Sequence, residues 1–157
     1  MNQITEVVTP HISQVPIAII KTRAVIMLDG KIFLGKLAMW DFYCLPGGTL
    51  EYNETLKEGL RREIIEELGI EPKIGKLVYT QEIIRDQVTK IDFWYWVENP
   101  EDFVAIDLSQ ASHGHEHSEV GFYNPSTLDA DVRPSVLPKL MKIWESSGPV
   151  FVEQIEA

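Results

Sequence analysis

The stretch Gly47–Ile70, GGTLEYNETLKEGLRREIIEELGI, decides the fold and the chemistry of this chain. Its second half predicts an amphipathic helix, because apolar residues recur every four positions: Leu56, Leu60, Ile64 and Leu68. We expect the helix to run from Glu54 to Leu68 and to end at Gly69, which occupies the position of a helix C-cap.

Three glutamates on this helix are spaced so that their carboxylates share one patch. Glu63, Glu66 and Glu67 lie at i, i+3 and i+4, within an arc of roughly 100°. Like charges this close destabilise a helix, and a hard divalent cation with oxygen ligands offsets them. The spacing alone also fits a solvated acidic surface. The preceding turn, Pro46–Gly48, favours a metal site because its backbone can approach a ligand closely.

The flanking sequence predicts a mixed α/β domain. Asp29-Gly30 between two apolar runs indicates a hairpin, and the polar segment Glu98–Ser118 is a candidate functional loop. A second helix is expected from about Pro134 to Trp144, although Pro138 would then lie inside it. Strands are predicted at Ile17–Leu28, Lys31–Lys36, Phe42–Leu45, Lys76–Ile84, Lys90–Val97 and Glu119–Tyr123, with a final edge strand at Pro149–Glu153. Two convincing helices favour a sheet that lies between them.

The glycine turn and the helix together resemble the signature of the Nudix hydrolase family, of the MutT-like kind. That signature reads Gly, five residues, Glu, seven residues, then Arg-Glu-apolar-any-Glu-Glu-any-Gly-apolar. The chain matches every fixed position: Gly48, Glu54, Arg62, Glu63, Ile64, Glu66, Glu67, Gly69 and Ile70. Two mild departures fall between them, at Asn53 and Gly59, where relatives often have Gly and Ala. The resemblance implies an α/β/α sandwich of the α+β class, with a mixed β-sheet between helices.

The resemblance also implies a metal centre and a reaction. The metal ligands it assigns are the carboxylates of Glu63, Glu66 and Glu67 and the carbonyl oxygen of Gly48. Mg²⁺ is the expected ion and Mn²⁺ can substitute, since both prefer oxygen donors and bind substrate phosphates. Glu54 and Arg62 are expected to form a structural pair that holds the carboxylates in place. The implied reaction is in-line attack of water on one phosphorus of a diphosphate.

A carboxylate must take the proton of the attacking water. In the family this base is either a motif glutamate or an acid on a later loop. Glu119 is the first loop candidate because it directly precedes the predicted strand Val120–Tyr123, and Glu116 is the reserve. The predicted catalytic set is therefore Glu63, Glu66, Glu67, Glu119 and Arg62.

A few residues are candidates for contact with the substrate. Arg23 and Lys36 could bind phosphates, and either could instead be an exposed charge at a strand end. Stacking against a base is assigned to Trp94 and Trp96, or to Phe93 and Tyr95, although aromatics on a central strand often belong to the core. The run from His113 to His117 predicts a mobile polar loop that could contact substrate, in preference to a zinc site.

The composition limits which binding partners and which cellular location we expect for the protein. The formal net charge of -10 argues against a nucleic acid or an anionic membrane, and allows a small phosphorylated substrate with a divalent cation. The single cysteine, Cys44, excludes an intramolecular disulfide. Residues 1–15 resemble a partly ordered leader without a secretory signal, so we expect one cytoplasmic domain over residues 1–157. The 10% aromatic content permits a homodimer interface.

The substrate and two alternative functions stay open. Some subfamilies carry a marker about 16 residues downstream, proline for ADP-ribose or tyrosine for dinucleoside polyphosphates, and the chain has Ile84–Gln87 there. Nucleoside triphosphates, including oxidised ones, and nucleotide sugars remain as candidate substrates. A same-fold isomerase acting on isopentenyl diphosphate relies on a cysteine and additional metal-binding residues that we cannot map onto this chain. A sensor domain without turnover usually loses the motif glutamates, which this chain keeps.

Overall fold

The computed structural model of the chain describes residues 17–153, so the predicted leader at residues 1–15 lies outside the described residues. The strands are β1 Ile17–Val25, β2 Met27–Leu28, β3 Lys31–Leu37, β4 Phe42–Cys44, β5 Ile74–Arg85, β6 Val88–Val97, β7 His117–Tyr123 and β8 Asp131–Arg133. The helices are α1 Leu56–Leu68 and α2 Leu137–Ser147, with short 3-10 helices at Pro100–Phe103, Leu108–Gln110 and Gly114–Glu116. No helix in this part of the chain is long and apolar enough to span a bilayer.

The strands form two mixed sheets, where the sequence predicted one. The first has the order β1-β6-β5, with β1 parallel to β6 and β5 antiparallel to it. The second has the order β2-β3-β4-β8, and β7 pairs with β3. The predicted strand Ile17–Leu28 is divided at Ile26, whose carbonyl accepts a hydrogen bond from the Phe33 N–H at 2.9 Å. Ile26 is thus the point where the chain passes from one sheet to the other.

The predicted hairpin between the first strands is confirmed. Asp29 and Gly30 both have positive φ, 50° and 72°, as a tight turn between antiparallel strands requires.

Helix α1 begins two residues later than the sequence predicted. Thr55 is its N-cap: the Thr55 hydroxyl accepts a hydrogen bond from the Glu58 N–H at 3.3 Å. In return the Thr55 N–H donates to the Glu58 carboxylate at 2.8 Å, which completes a capping box. The helix ends at Gly69 in a left-handed conformation, as predicted.

The C-terminal third differs most from the prediction. Helix α2 begins at Leu137 and not at Pro134, so Pro138 lies in its first turn, where its missing N–H removes no helix bond. The predicted edge strand at the tail is a single bridge between Val152 and Tyr79. Strand β8, which no sequence pattern indicated, pairs in parallel with β4.

One helix packs on each side of the sheets, which confirms the α/β/α sandwich. Aromatic residues on β6 face both sides, because successive side chains of a strand point to opposite faces. The cluster beneath α1 contains Ala24, Ile26, Phe33, Leu60, Ile64, Leu68 and Tyr95. The cluster beneath α2 contains Val25, Leu34, Tyr79, Trp94, Leu137, Leu140, Met141 and Trp144, with Trp96 packed against it.

Shortening a side chain at the centre of the α2 cluster should destabilise the whole domain. Leu140 is fully buried, so Leu140→Ala removes apolar contacts and leaves a cavity. We expect the free energy of unfolding to fall by about 2–5 kcal/mol in urea denaturation. Lys142→Ala, on the exposed side of the same helix, is the matched control and should change it by less than about 0.5 kcal/mol. Equal effects of the two variants would contradict the packing of α2.

Candidate active site

The glycine turn before α1 lies along β1 as a short added segment. In this segment Gly47 has a φ of 127°, and a Cβ there would overlap the carbonyl oxygen of Thr22, so only glycine fits without strain. Three backbone hydrogen bonds hold the segment to β1: Thr22 N–H to Gly48 O at 3.0 Å, Ala24 N–H to Pro46 O at 2.9 Å, and Leu50 N–H to Ile20 O at 2.9 Å. The turn is therefore fixed against the face of α1 that carries the glutamates.

Two of the three motif glutamates, Glu63 and Glu67, lie against this turn. Glu67 is buried and its carboxylate accepts a hydrogen bond from the Gly47 N–H at 3.2 Å. Glu63 lies directly against the backbone of Gly48, where any Cβ would overlap its carboxylate. Burial raises the pKa of Glu63, and the neighbouring charge of Glu67 adds to that shift. A cation beside these carboxylates would lower the free energy of their charged forms.

Arg62 connects two glutamates of α1 to Glu54, which lies in the loop before the helix, as the resemblance implied. Its Nε donates to Glu54 Oε1 at 2.6 Å and its Nη2 donates to Glu54 Oε2 at 3.1 Å, a two-point contact. Its Nη1 donates to Glu63 at 3.2 Å and to Glu66 at 3.1 Å. The guanidinium holds the pKa of Glu54 below its ordinary value. Arg62 thus fixes the positions of two predicted metal ligands without itself being able to bind a cation.

Arg62 and the three motif glutamates line one cleft of about 380 Å³. It brings together most of the predicted site: Arg23, Gly48, Arg62, Glu63, Glu66 and Glu67. His113 and Glu116, from the end of the predicted functional loop, complete one wall. Cys44 also lines the cleft, and burial raises the pKa of its thiol, so it is held as the neutral form.

The donor set of the cleft suits a hard cation. Between residues 17 and 153, no three acidic, histidine or cysteine side chains are placed so that they could together hold a metal ion, and Arg62 engages Glu63 and Glu66. The oxygen donors are nevertheless of the kind that Mg²⁺ prefers, and Glu67 is close enough to Glu63 to influence its pKa. The Gly48 carbonyl accepts one hydrogen bond, from Thr22, and keeps a second lone pair. The residues fit the cation that the motif implies.

His117 was predicted to belong to a polar loop, whereas the structure places it at the start of β7, buried and facing the cleft. Its side chain is almost fully buried, neither ring nitrogen has a hydrogen-bond partner within residues 17–153, and Nε2 lies 3.6 Å from Glu67 Oε2. A β-bulge explains its orientation: Glu119 pairs with Lys36, but Leu37 pairs with His117 and skips Ser118. Simple alternation would put His117 and Glu119 on one face, and the bulge separates them.

Glu119 and Lys36 are not brought to the cleft. Both lie on the α2 side of the second sheet as cross-strand neighbours, where the ammonium of Lys36 also sits over the Tyr43 ring. Lys36 pairs with Asp41 at 2.6 Å. Glu116, the reserve candidate, lines the cleft where Glu119 does not.

A second compartment of about 410 Å³ adjoins the cleft. Lys21 and Arg23 line both, so they mark the boundary between the two. Arg23 donates to the carbonyl oxygens of Leu45 and Gly47 at 3.2 and 2.9 Å, which fixes its orientation. Lys21 was missed, although its spacing of two residues from Arg23 puts both on the same face of β1.

The two tryptophans of β6 lie in different surroundings. Trp94 lines the second compartment and is fully buried. Trp96 lines neither compartment and packs edge-on against Trp144 at 6.3 Å, so its place is in the core. Phe93 and Tyr95 face the α1 side.

Replacing Arg62 with lysine should lower activity through geometry. Lysine keeps the charge but cannot make the forked contact with Glu54 while also reaching Glu63. We expect the activation constant for Mg²⁺ to rise roughly 10- to 100-fold, as for other residues that orient metal ligands. The control is Arg61→Lys, since the neighbouring Arg61 pairs with Glu71 on the exposed side of the helix. An unchanged Mg²⁺ dependence in Arg62→Lys would contradict this role.

The comparisons with known proteins agree on one protein family. A family model described as NUDIX domain matches residues 18–141. The chain is 28% identical over 126 residues to the CTP pyrophosphohydrolase of Escherichia coli (strain K12), covering 74% of this chain and 84% of that protein. The solution structure of the E. coli ORF135 protein is similar with a TM-score of 0.64 and 24% identity, over 83% of this chain and 90% of that one. A MutT NUDIX hydrolase from Burkholderia pseudomallei has a TM-score of 0.64 and 21% identity, over 80% and 96%.

Proposed function

The chain belongs to the NUDIX family, whose enzymes include pyrophosphohydrolases, and from this premise we propose that it hydrolyses a phosphoanhydride bond with a divalent cation, Mg²⁺ or in its place Mn²⁺. The substrate is a nucleoside diphosphate linked to a further group: a nucleoside triphosphate, an oxidised nucleotide or a nucleotide sugar. The name of the E. coli relative, a CTP pyrophosphohydrolase, supports a triphosphate.

One observation carries this proposal: acidic and basic groups line the same cleft. Its lining includes the carboxylates of Glu63, Glu66 and Glu67 and the basic side chains of Lys21 and Arg23. Carboxylates alone would repel a polyphosphate, and basic groups alone would not hold Mg²⁺. Together they suit a phosphate chain that is bound both through a cation and directly by basic side chains. The formal net charge of -10 supports a small substrate of this kind over a nucleic acid or an anionic membrane.

Each residue of the cleft then has a task. We assign Glu63, Glu66, Glu67 and the Gly48 carbonyl to holding the cation. When bound, the cation neutralises negative charge that develops on the phosphoryl oxygens.

The remaining tasks fall to basic and acidic residues of the chain. Lys21 and Arg23 bind phosphate oxygens, and Arg62 keeps Glu63 and Glu66 in position. For the general base we favour Glu116 over Glu119, because Glu116 lines the cleft. A motif glutamate remains the alternative base, in line with the buried Glu63, whose pKa is raised by burial.

A substrate panel tests the proposal. The purified protein is incubated with Mg²⁺ and with nucleoside triphosphates, oxidised triphosphates, nucleotide sugars and dinucleoside polyphosphates. The nucleotide products are separated by chromatography, and released phosphate and pyrophosphate are also measured for the triphosphates. We expect turnover of at least one triphosphate or nucleotide sugar, and ¹⁸O-labelled water then shows which phosphorus is attacked. Binding of these compounds with no turnover of any member would contradict the proposal and favour a sensor domain.

A further inference from the structure

Asp92 is a buried acid in the wall of the second compartment. It lies at the centre of the first sheet, paired in register with Lys21 on one side and Gln81 on the other. Asp92 is only 8% exposed. Charged side chains are rarely buried to this extent unless they have hydrogen-bonding or ionic partners. The proposed hydrolytic steps give Asp92 no task, since it does not line the cleft that holds the glutamates.

Gln81 satisfies only part of the Asp92 carboxylate. The Gln81 Nε2 donates to Asp92 Oδ2 at 2.9 Å. Among the described residues, Asp92 Oδ1 accepts no hydrogen bond, no basic group lies within ion-pair distance, and this oxygen is not sealed from the compartment. The compartment therefore offers a ligand one free carboxylate oxygen, next to the remaining N–H of the Gln81 amide.

The rest of the compartment suits a flat ring. Trp40 stands at its edge with 58% of its surface exposed, and Phe42 lies 6.1 Å from it, centroid to centroid. Ile83 adds apolar surface, and Arg133 stacks on Phe42 at 4.3 Å. Such surfaces contact the faces of an aromatic heterocycle, while Asp92 and Gln81 can contact its edge.

The two basic residues at the boundary orient such a ligand. Lys21 and Arg23 stand between the acidic cleft and the second compartment. A phosphate chain held at this boundary places the other end of a nucleotide toward Asp92.

Building on the proposed function, we propose that Asp92 selects nucleobases with an exocyclic amine, accepting a hydrogen bond from that amine. An ionised carboxylate only accepts hydrogen bonds, so an amine matches it and a carbonyl oxygen at the same place sets two acceptors against each other. The adjacent Gln81 N–H matches the ring nitrogen next to an amine, as in cytosine. Uracil differs from cytosine at this edge by carrying a carbonyl and a ring N–H.

The test compares CTP with UTP, which differ only at that edge. We expect the wild-type protein to have a kcat/KM for CTP that is roughly 10- to 100-fold higher than for UTP, the range for a hydrogen bond to a charged group. Asp92→Asn keeps the shape and adds a donor, so it should reduce this ratio to about one or below. The control Asp86→Asn, at the exposed tip of the same β-hairpin, should keep the wild-type ratio.

Two outcomes separate this inference from the proposed function. If CTP and UTP are cleaved equally well by the wild-type protein, or if Asp92→Asn keeps the wild-type ratio, the role of Asp92 is wrong and the hydrolase assignment stands. If no nucleotide is cleaved, the proposed function fails, and quenching of tryptophan fluorescence by CMP and UMP tests Asp92 alone. Tighter binding of CMP by the wild-type protein supports the inference, and equal binding overturns it. If Asp92→Asn does not fold, the comparison of CTP with UTP in the wild-type protein still tests the role of Asp92.

Discussion

Replacing Glu67 with glutamine should abolish Mg²⁺-dependent turnover and leave the fold intact. Glu67 is the most buried of the motif glutamates and is fixed by the Gly47 N–H, so its carboxylate cannot be replaced by a neighbour. Glutamine keeps the size and loses the charge that a hard cation requires. Because residues that merely orient metal ligands already contribute 10- to 100-fold, we expect kcat/KM to fall by roughly 100-fold or more. Glu66→Gln should have an effect of the same kind.

The control for this prediction is a glutamate outside the cleft. Glu71 lies on the surface just after α1 and pairs with Arg61, so Glu71→Gln should change kcat/KM by less than about twofold. Circular dichroism melting of all variants shows whether the fold is kept. Wild-type rates in both Glu66→Gln and Glu67→Gln would mean that α1 does not carry the site.

Replacing Gly48 with alanine should lower activity by displacing one carboxylate. A Cβ at this position overlaps the Glu63 carboxylate, and Gly48 itself has no positive φ to lose. The group that must move is the Glu63 carboxylate, at the end of a flexible side chain. We therefore expect the fold to be kept and the Glu63 side chain to rotate away from Gly48. We expect kcat/KM to fall by roughly 10- to 100-fold, as when the geometry of a metal site is disturbed, with a change in unfolding free energy below about 1 kcal/mol.

Two further glycine variants make this prediction specific. Gly121→Ala places its Cβ no nearer than 3.5 Å to any neighbour, so we expect neither activity nor stability to change appreciably. Gly47→Ala instead overlaps the Thr22 carbonyl from a φ of 127° and should destabilise the protein. If Gly48→Ala kept full activity, the close approach of Glu63 to the turn would have no role in the reaction.

The sequence predicted the parts of the site that local spacing determines. The periodicity of α1 and the fixed positions from Gly48 to Ile70 predict that the glutamates and Arg62 lie together, as they do in one cleft, because a helix and its preceding turn are a local structure. The Asp29-Gly30 hairpin was predictable for the same reason.

Features that depend on pairing between distant segments were not predictable. The bulge at Ser118 turns His117 into the cleft and leaves Glu119 outside it, and nothing in the residues near Ser118 signals that register shift. Strand β8 exists only because β4 pairs with it, and its three residues show no strand pattern of their own. The division of the sheet at Ile26 is likewise a tertiary effect.

The most direct test of the central claim is the Mg²⁺ dependence of hydrolysis after the protein has been treated with a chelator. The claim is that the carboxylates of α1 hold a cation that hydrolysis requires. It predicts no turnover of the preferred nucleotide without metal, a saturable rise as Mg²⁺ is added, and a partial rise with Mn²⁺ in its place. Full turnover in the presence of excess chelator would contradict it.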